Sequence, residues 1–293
     1  MATYKRVEQF SLNLKGTEMS SYYLTQHLTE NGSRWALNDH YLPKQFTLSF
    51  LMELPEEAIR GVLDSLPQGL PADDPQLAPV EHSQEVWAAG VTYLRSREAR
   101  MNESEVAADV YERVYDAERP EIFMKAIGWR VVGNGMPFHI RKDSSWNVPE
   151  PELVLVLNHA GEIIGYSAGN DVSSRDIEGE NPLYLPQAKM YNRSCVVGPG
   201  ICLADVEELR GLPIQMQISR NGSVVFSDET NTDAMKRTFR ELASCLYAEM
   251  NFPQGTFLMT GTCIVPPEEF TLQADDVVRI DVGDLTLVNE TAQ

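Results

Sequence analysis

Lysine is scarce in this chain: seven residues, at 5, 15, 44, 125, 142, 189 and 236, stand against 43 Asp and Glu in 293 residues. The formal net charge of −19 argues against nucleic acid or an anionic membrane as partner, because either would be repelled over most of the surface. A small anionic ligand would then need a locally basic pocket. Cysteine is also sparse. Cys195, Cys202, Cys245 and Cys263 form no C-x-x-C pair and have no histidines at zinc spacing, which excludes a zinc knuckle and a dithiol redox motif and leaves buried reduced thiols. No apolar run approaches the length that spans a bilayer, and Met1 to Glu8 lacks the apolar stretch of a signal peptide, so a cytoplasmic location is expected.

What is present suits a globular protein with a substantial core, since 43% of the residues are hydrophobic and the length allows one large domain or two. Between Leu63 and Val80 the chain carries Pro67, Pro71, Pro75 and Pro79, a composition that resists helix and sheet alike. It reads as a linker closing a small N-terminal α/β region, residues 1–80, ahead of a main domain, residues 81–293. Helices are expected over Pro55 to Leu66 and over Asp233 to Glu249, the latter with Met235, Phe239, Leu242 and Leu246 at helical spacing. Trp87 to Val91 reads as a strand. Asn102 and Glu105 form a capping-box pattern before Val106, Val110 and Val114, which predicts a helix through Tyr115. Short strands are expected at Leu212 to Arg220, Phe257 to Thr260, Val277 to Val282 and Leu285 to Val288.

The most informative stretch is Pro149 to Arg175. Leu153 to Leu157 is wholly apolar, Asn158-His159-Ala160-Gly161 is a turn, and an apolar pattern resumes from Ile163, the signature of two antiparallel strands. A turn symmetric about 159 to 160 would set Glu150 opposite Gly169 and Asp171 opposite Val148. Because residues two apart and residues directly opposed share a face, Glu150, Glu152 and Asp171 would then converge. Three like charges so close are costly without a cation. An oxygen-only donor set points to Mg²⁺, with Mn²⁺ or Ca²⁺ as alternatives, and away from zinc.

The order Glu150-x-Glu152, Asp171-Val172-Ser173-Ser174-Arg175-Asp176, Lys189, Gly198-Pro199 and Thr260-Gly261-Thr262 resembles the fumarylacetoacetate hydrolase superfamily, over residues 84 to 288. Tyr93 to Glu98, Arg119 to Lys125 and Glu180 to Gln187 are most similar to its 2-keto-3-deoxy-sugar-acid dehydratases. The resemblance implies an α+β fold, with a strand-rich rolled mixed β-sheet behind a variable N-terminal part, and a homo-oligomer, dimer or tetramer. It assigns Glu150, Glu152 and Asp171 to the metal. The substrate implied is a small anionic 2-keto acid, a 2-keto-3-deoxy-pentonate of arabinonate or xylonate type, dehydrated to 2,5-dioxopentanoate.

Many of the hydrolases place a water-activating histidine three residues after the tyrosine matched by Tyr93, where this chain has Ser96. Serine has no pKa near neutrality and is no base unaided. His27, His40, His82, His139 and His159 all lie outside the motifs. Elimination of water therefore gains over acylpyruvate hydrolysis. The alternatives are a hydrolase or decarboxylase of acylpyruvates, diketo sugar acids or oxaloacetate, with Glu98 or a lid residue as substitute base, and a non-catalytic homologue. On the dehydratase reading, Lys189 takes the C3 proton or stabilises the enolate, its ammonium destabilised beside a cation, unless it only pairs with a metal carboxylate. Glu121 is the acid for the leaving hydroxyl, a fourth ligand or a partner of Arg119. Arg95, Ser96, Arg97, Lys125, Tyr184, Gln187 and Thr262 complete the expected substrate site, with pairing to the metal-site carboxylates as the alternative for Lys125, and Arg175 is expected to orient the metal carboxylates.

Overall fold

The computed structural model describes residues 22–96 and 113–293. Arg97, Glu98 and the capping-box positions Asn102 and Glu105 lie outside the described residues.

The chain opens with β1 (Tyr23–Thr29), β2 (Gly32–Leu37) and β3 (His40–Tyr41), then α1 (Leu48–Met52) and α2 (Glu56–Ser65). The first turn of α1 is fixed by two acceptors at its unsatisfied amides. Thr47 accepts from the Phe50 N–H, and the Glu81 carboxylate accepts from Leu48 N and Ser49 N. The proline-rich segment does form one short strand, β4 (Gln76–Leu77), because its extended backbone can pair with β1. Next come β5 (Glu85–Gly90), β6 (Glu121–Ile127), β7 (Phe138–His139), β8 (Asn147–Val148), β9 (Pro151–Leu157), β10 (Ile163–Asp171) and β11 (Ser173–Ser174). Helices α3 (Arg175–Glu180) and α4 (Leu185–Lys189) lead to β12 (Cys195–Leu203), β13 (Pro213–Arg220) and β14 (Ser223–Asn231). The chain ends with α5 (Phe239–Tyr247), β15 (Thr256–Met259), β16 (Val277–Val282) and β17 (Leu285–Ala292).

The helix expected from Asp233 is shorter than its apolar spacing predicts. Thr238 accepts from the Glu241 amide while the Glu241 carboxylate caps Thr238, so α5 starts at Phe239. Met235 is instead drawn into a bridge with Tyr93.

Among the described residues, β3-β2-β1-β12-β10-β9-β15-β5-β6 form one sheet with β4 beside β1, and β14-β13-β16-β17-β7 form a second. Pairing is mixed: β15 runs parallel to β5, whereas β9, β10 and β12 are antiparallel neighbours. The N-terminal strands join the large sheet through the β1 and β12 pair. This is the strand-rich mixed α+β architecture expected.

β9 explains why the site is so deeply set. Every residue of β9 and of β10 is buried. Leu153, Leu155 and Leu157 pack into the core shared with the second sheet and α5, whereas Val154 and Val156 pack toward α1, α2 and the N-terminal strands. A strand covered on both faces must be apolar throughout, which accounts for the unbroken Leu/Val run. Each such side chain contributes roughly 1.5–3 kcal/mol of burial. That is the rigid frame on which charge can be held.

Candidate active site

The β9 and β10 hairpin sets the first three carboxylates. Its turn is closed by Asn158, whose Oδ1 accepts from Ala160 N and Glu162 N, and a bulge between Ile163 and Gly165 adds a further residue. Together they move the register two positions from the one expected. Glu152 pairs with Gly169, and the Asp171 amide donates to Glu150 O at 2.9 Å, so Asp171 faces Glu150 where Val148 was expected. Val148 pairs with Ser173 instead. A slip of two preserves the face, because side chains alternate with period two. Glu150, Glu152 and Asp171 accordingly converge, with one carboxylate oxygen from each lying within 4.8 Å of the others.

Three cations hold this cluster from behind and from one side. Lys189, at the end of α4, donates from Nζ to Glu150 Oε2 at 2.8 Å and to Asp171 Oδ2 at 3.0 Å. Arg175, at the start of α3, places Nη2 3.0 Å from Glu150 Oε1 and Nη1 3.4 Å from Glu178 Oε2. Lys125 lies 2.5 Å from Asp171 Oδ1 and donates to the carbonyls of Val172 at 3.0 Å and Lys189 at 2.5 Å. Lys125 is the extra residue of a bulge in β6, where Met124 pairs with Trp87 and Ala126 with Val86, and such bulges re-aim side chains. All three cations are buried.

Glu152 is held differently. Its Oε2 accepts the Gly261 N–H at 2.6 Å. Gly261 has φ +91°, and a Cβ there would meet Thr92 Oγ1 at 2.1 Å, so only glycine brings this amide to the carboxylate. Burial, then the charges of Asp171 and Glu150, push the Glu152 carboxyl well above the usual carboxylate range. Asp171 Oδ1 is buried and lacks a hydrogen bond of acceptable direction despite the nearby Lys125. Four buried carboxylates, Glu178 included, face three buried cations. A divalent cation fits this donor set: hard oxygens only, an under-satisfied one among them, and residual negative charge.

In front of the cluster lies a narrow cleft, lined by Gly90, Ser96, Glu121, Phe123, Glu178 and Thr262 with Glu150, Asp171 and Lys189. Glu121 and Phe123 share a face of β6. The Glu121 carboxylate lies over Gly90, where any Cβ would sit 1.9 Å from its Oε2. Ser96 donates to Tyr93 O at 2.8 Å. Thr262 accepts from Ile264 N at 3.2 Å. None of the five histidines lines the cleft.

Of the residues expected at the site, the structure thus gathers Glu150, Glu152, Asp171, Lys189, Glu121, Ser96 and Thr262. Lys125 lies behind the carboxylates. Arg95 is on the surface, 2.6 Å from Asp228 of β14. Tyr184 and Gln187 are not among the lining residues; the Gln187 carbonyl accepts from Arg141 at 2.8 Å. Sequence reasoning passed over Glu178, Phe123 and Gly90. Glu178 was detectable as the i+3 neighbour of Arg175 on a helix, and Phe123 as the alternate residue between Glu121 and Lys125, its ring centre 5.8 Å from Lys189 Nζ.

Comparison with known proteins agrees with this geometry. The pattern of the fumarylacetoacetate hydrolase C-terminal family matches residues 86–292. A probable 2-keto-3-deoxyxylonate dehydratase of Haloferax volcanii is 50% identical over 209 residues, covering 71% of this chain and 72% of its own. The 2-dehydro-3-deoxy-D-arabinonate dehydratase of Saccharolobus solfataricus is 37% identical over 270 residues, 90% of each chain. The solved structure of a 2-keto-3-deoxy-D-arabinonate dehydratase complexed with magnesium and 2,5-dioxopentanoate superposes with a TM-score of 0.78 at 33% identity, covering 92% of this chain and 98% of that one.

Proposed function

We propose that this chain, which belongs to the fumarylacetoacetate hydrolase C-terminal family, is a magnesium-dependent dehydratase converting a 2-keto-3-deoxy-pentonate, of arabinonate or xylonate type, to 2,5-dioxopentanoate. One observation carries the reading. Two members of a buried carboxylate triad, Glu150 and Asp171, line a cleft with Lys189 and Glu121 and with no histidine, which supplies a base and an acid for eliminating water but no water-activating imidazole for hydrolysis.

Glu150, Glu152 and Asp171 would hold the ion, with Lys125 and Arg175 fixing two of those carboxylates from outside. Bound there, magnesium supplies Lewis-acid polarisation of the keto group, worth several kcal/mol toward ionising C3. Lys189 takes the C3 proton. Its Nζ, 2.8 Å from Glu150 Oε2 and 3.0 Å from Asp171 Oδ2, would act from the edge of the ion site as the free amine. Glu121 gives its proton to the departing C4 hydroxyl. Thr262 and the Gly261 backbone bound the carboxylate end of the substrate, and burial keeps bulk water from the enone that forms. Phe123 covers the Lys189 ammonium from one side. We place the enzyme in the cytoplasm as a homo-oligomer.

The direct test supplies Mg²⁺ and 2-keto-3-deoxy-pentonate, follows 2,5-dioxopentanoate with a coupled aldehyde dehydrogenase, and runs an acylpyruvate control. Formation of the dioxo acid that EDTA removes is expected. Cleavage of the acylpyruvate alone would sink the dehydratase and restore the hydrolase.

A further inference from the structure

Removing water across C3 and C4 does not finish this reaction. With the C4 hydroxyl gone, the molecule is the enone 5-hydroxy-2-oxopent-3-enoate, still an alcohol at C5. Reaching 2,5-dioxopentanoate requires hydrogens to leave C5 and its hydroxyl and hydrogens to arrive at C3 and C4. A further carboxylate facing the chain beyond C4 would serve the transfer from C5.

Five described residues that line the cleft are ionisable: Glu121, Glu150, Asp171, Glu178 and Lys189. Glu150 and Asp171 are assigned to the ion, Lys189 to C3 and Glu121 to the C4 hydroxyl. Glu178 remains. It is 3% exposed, and its carboxylate is set off from Glu150 by the width of the Arg175 guanidinium, which spans the two at 3.4 and 3.0 Å. Because the guanidinium is planar and rigid, that spacing is fixed. A substrate whose keto-acid end lies at the triad extends its hydroxylated end away from it. Glu178 lines the same cleft one guanidinium's width from Glu150, a position from which a carboxylate would meet the hydroxylated end rather than the substrate's own carboxylate.

Resting on the dehydratase reading, we propose that Glu178 is a further catalytic base, which takes a proton from C5 of the enone and returns it to C4. The atoms balance with no other reactant. Lys189 takes a C3 proton, the C4–O bond breaks, and the hydroxide leaves as water with the Glu121 proton. The Glu178 carboxylate then takes a C5 proton, the C5–H pair forms the C4=C5 bond, and the former C3=C4 pair takes the proton from the Lys189 ammonium at C3. The C5 hydroxyl of the resulting enol gives its proton to the Glu121 carboxylate, and the double bond takes the Glu178 proton at C4, leaving the aldehyde. Lys189 ends neutral, Glu121 protonated and Glu178 ionised, each as it began. Among the described residues the cleft holds three proton-transfer groups beside the two assigned to the ion, the number this cycle uses.

The test is product analysis on the Mg²⁺-loaded enzyme with substrate carrying two deuteriums at C5, in ordinary water. Since Glu178 is buried, the wild type is expected to move one deuterium from C5 to C4 of the dioxo acid. Only protium at C4 would overturn the proposal, whatever any variant does. Glu178→Gln should consume substrate while 5-hydroxy-2-oxopent-3-enoate accumulates with its conjugated ultraviolet absorbance, dioxo acid per substrate consumed falling on the order of 10²-fold. Glu178→Asp, which keeps the carboxylate, should recover part of that yield. A residue that only supports the fold would change the rate and leave the product ratio alone, so full conversion to dioxo acid by Glu178→Gln at any rate overturns the proposal. If the wild type consumes no pentonate at all, the dehydratase reading itself fails, and that outcome is separable from the others.

Discussion

Two carboxylates close together in sequence show how differently one fold can treat the same chemical group. Burial alone would raise the pKa of both Glu152 and Asp176. At Glu152 the neighbours are Asp171 and Glu150, which add to the rise, and the Lys189 charge and one amide from Gly261, which together do not offset it. At Asp176 the neighbours are hydroxyls and amides: Ser144 Oγ at 2.6 Å, Ser145 N at 2.7 Å, Ser174 Oγ at 2.7 Å and Ile177 N at 2.9 Å. They reverse the effect of burial and bring the carboxyl down to about 2. A carboxylate cradled by neutral donors is complete as it stands and ties the loop around Ser144 to α3. A carboxylate crowded by its own kind is complete only with something added. The difference separates an anchor from a ligand.

Replacement of Glu152 by Gln puts the largest strain on this comparison. If the residue is an ion ligand, metal-dependent turnover falls on the order of 10³-fold or more, since several kcal/mol of Lewis-acid stabilisation go with the ion. Stability should move the other way. Removing a carboxylate whose charged form is disfavoured relieves repulsion, so the EDTA-treated variant is expected to melt no lower than the EDTA-treated wild type. Steady-state assays beside thermal scans read both, and unchanged turnover would refute the ligand assignment.

Lys125→Met is next. Lys125 stands behind Asp171, and its loss leaves a buried carboxylate short of a partner, at a cost of about 3 kcal/mol. Denaturant midpoints at constant slope would show it. A cost near zero would mean that Asp171 is as self-sufficient as Asp176, which would erase the distinction.

How far the sequence alone carried this distinction depends on the kind of information involved. The convergence of Glu150, Glu152 and Asp171 was legible because strand periodicity fixes faces, and a register error of two leaves faces intact. The fold class was legible from the Leu/Val run of β9 and the motifs that follow it. The partner across from Asp171 was not, because the bulge after Ile163 has no local signature. Lys125 was expected at the metal-site carboxylates or at the substrate, and the bulge in β6 selects the first by turning it to the back of Asp171; nothing in Arg119 to Lys125 announces a bulge. Arg95 was expected over the cleft, but its ion pair with Asp228 joins residues 133 positions apart, which no local pattern reveals. Gly90 matters only because Glu121 packs over it from a strand beyond the intervening segment. Chemistry was readable from residue type, while its placement depended on pairings distant in sequence.

Magnesium gives a smaller effect with a direction in pH. A carboxyl whose folded pKa is raised contributes stability that is present below its unfolded value of 4.5 and lost as pH rises through the raised value. The ion-free protein therefore loses stability in that range, and the ion, by compensating the charge, restores it. At a hundredfold excess over its dissociation constant, Mg²⁺ should add about 2.7 kcal/mol. The melting-temperature difference between Mg²⁺ and EDTA should widen from pH 5 toward neutrality. A difference that stays flat would mean that Glu152 feels no ion.

Asp176→Asn should have the smallest effect and the opposite pH signature. Its folded pKa is depressed, so its contribution is present above the unfolded value of 3.8 and lost as pH falls toward about 2. The carboxylate is partly solvated, and screening reduces the gain to about 1–2 kcal/mol at neutral pH. Asn keeps one acceptor oxygen but brings two donors into a ring of hydroxyls and amides that are already donating. The variant should therefore melt lower at pH 7 and approach wild type as the pH nears 2, while its Mg²⁺-dependent turnover stays within a few-fold of wild type. Loss of turnover with unchanged stability would reverse the two roles, making Asp176 part of the chemistry and its serine cradle a means of keeping it ionised.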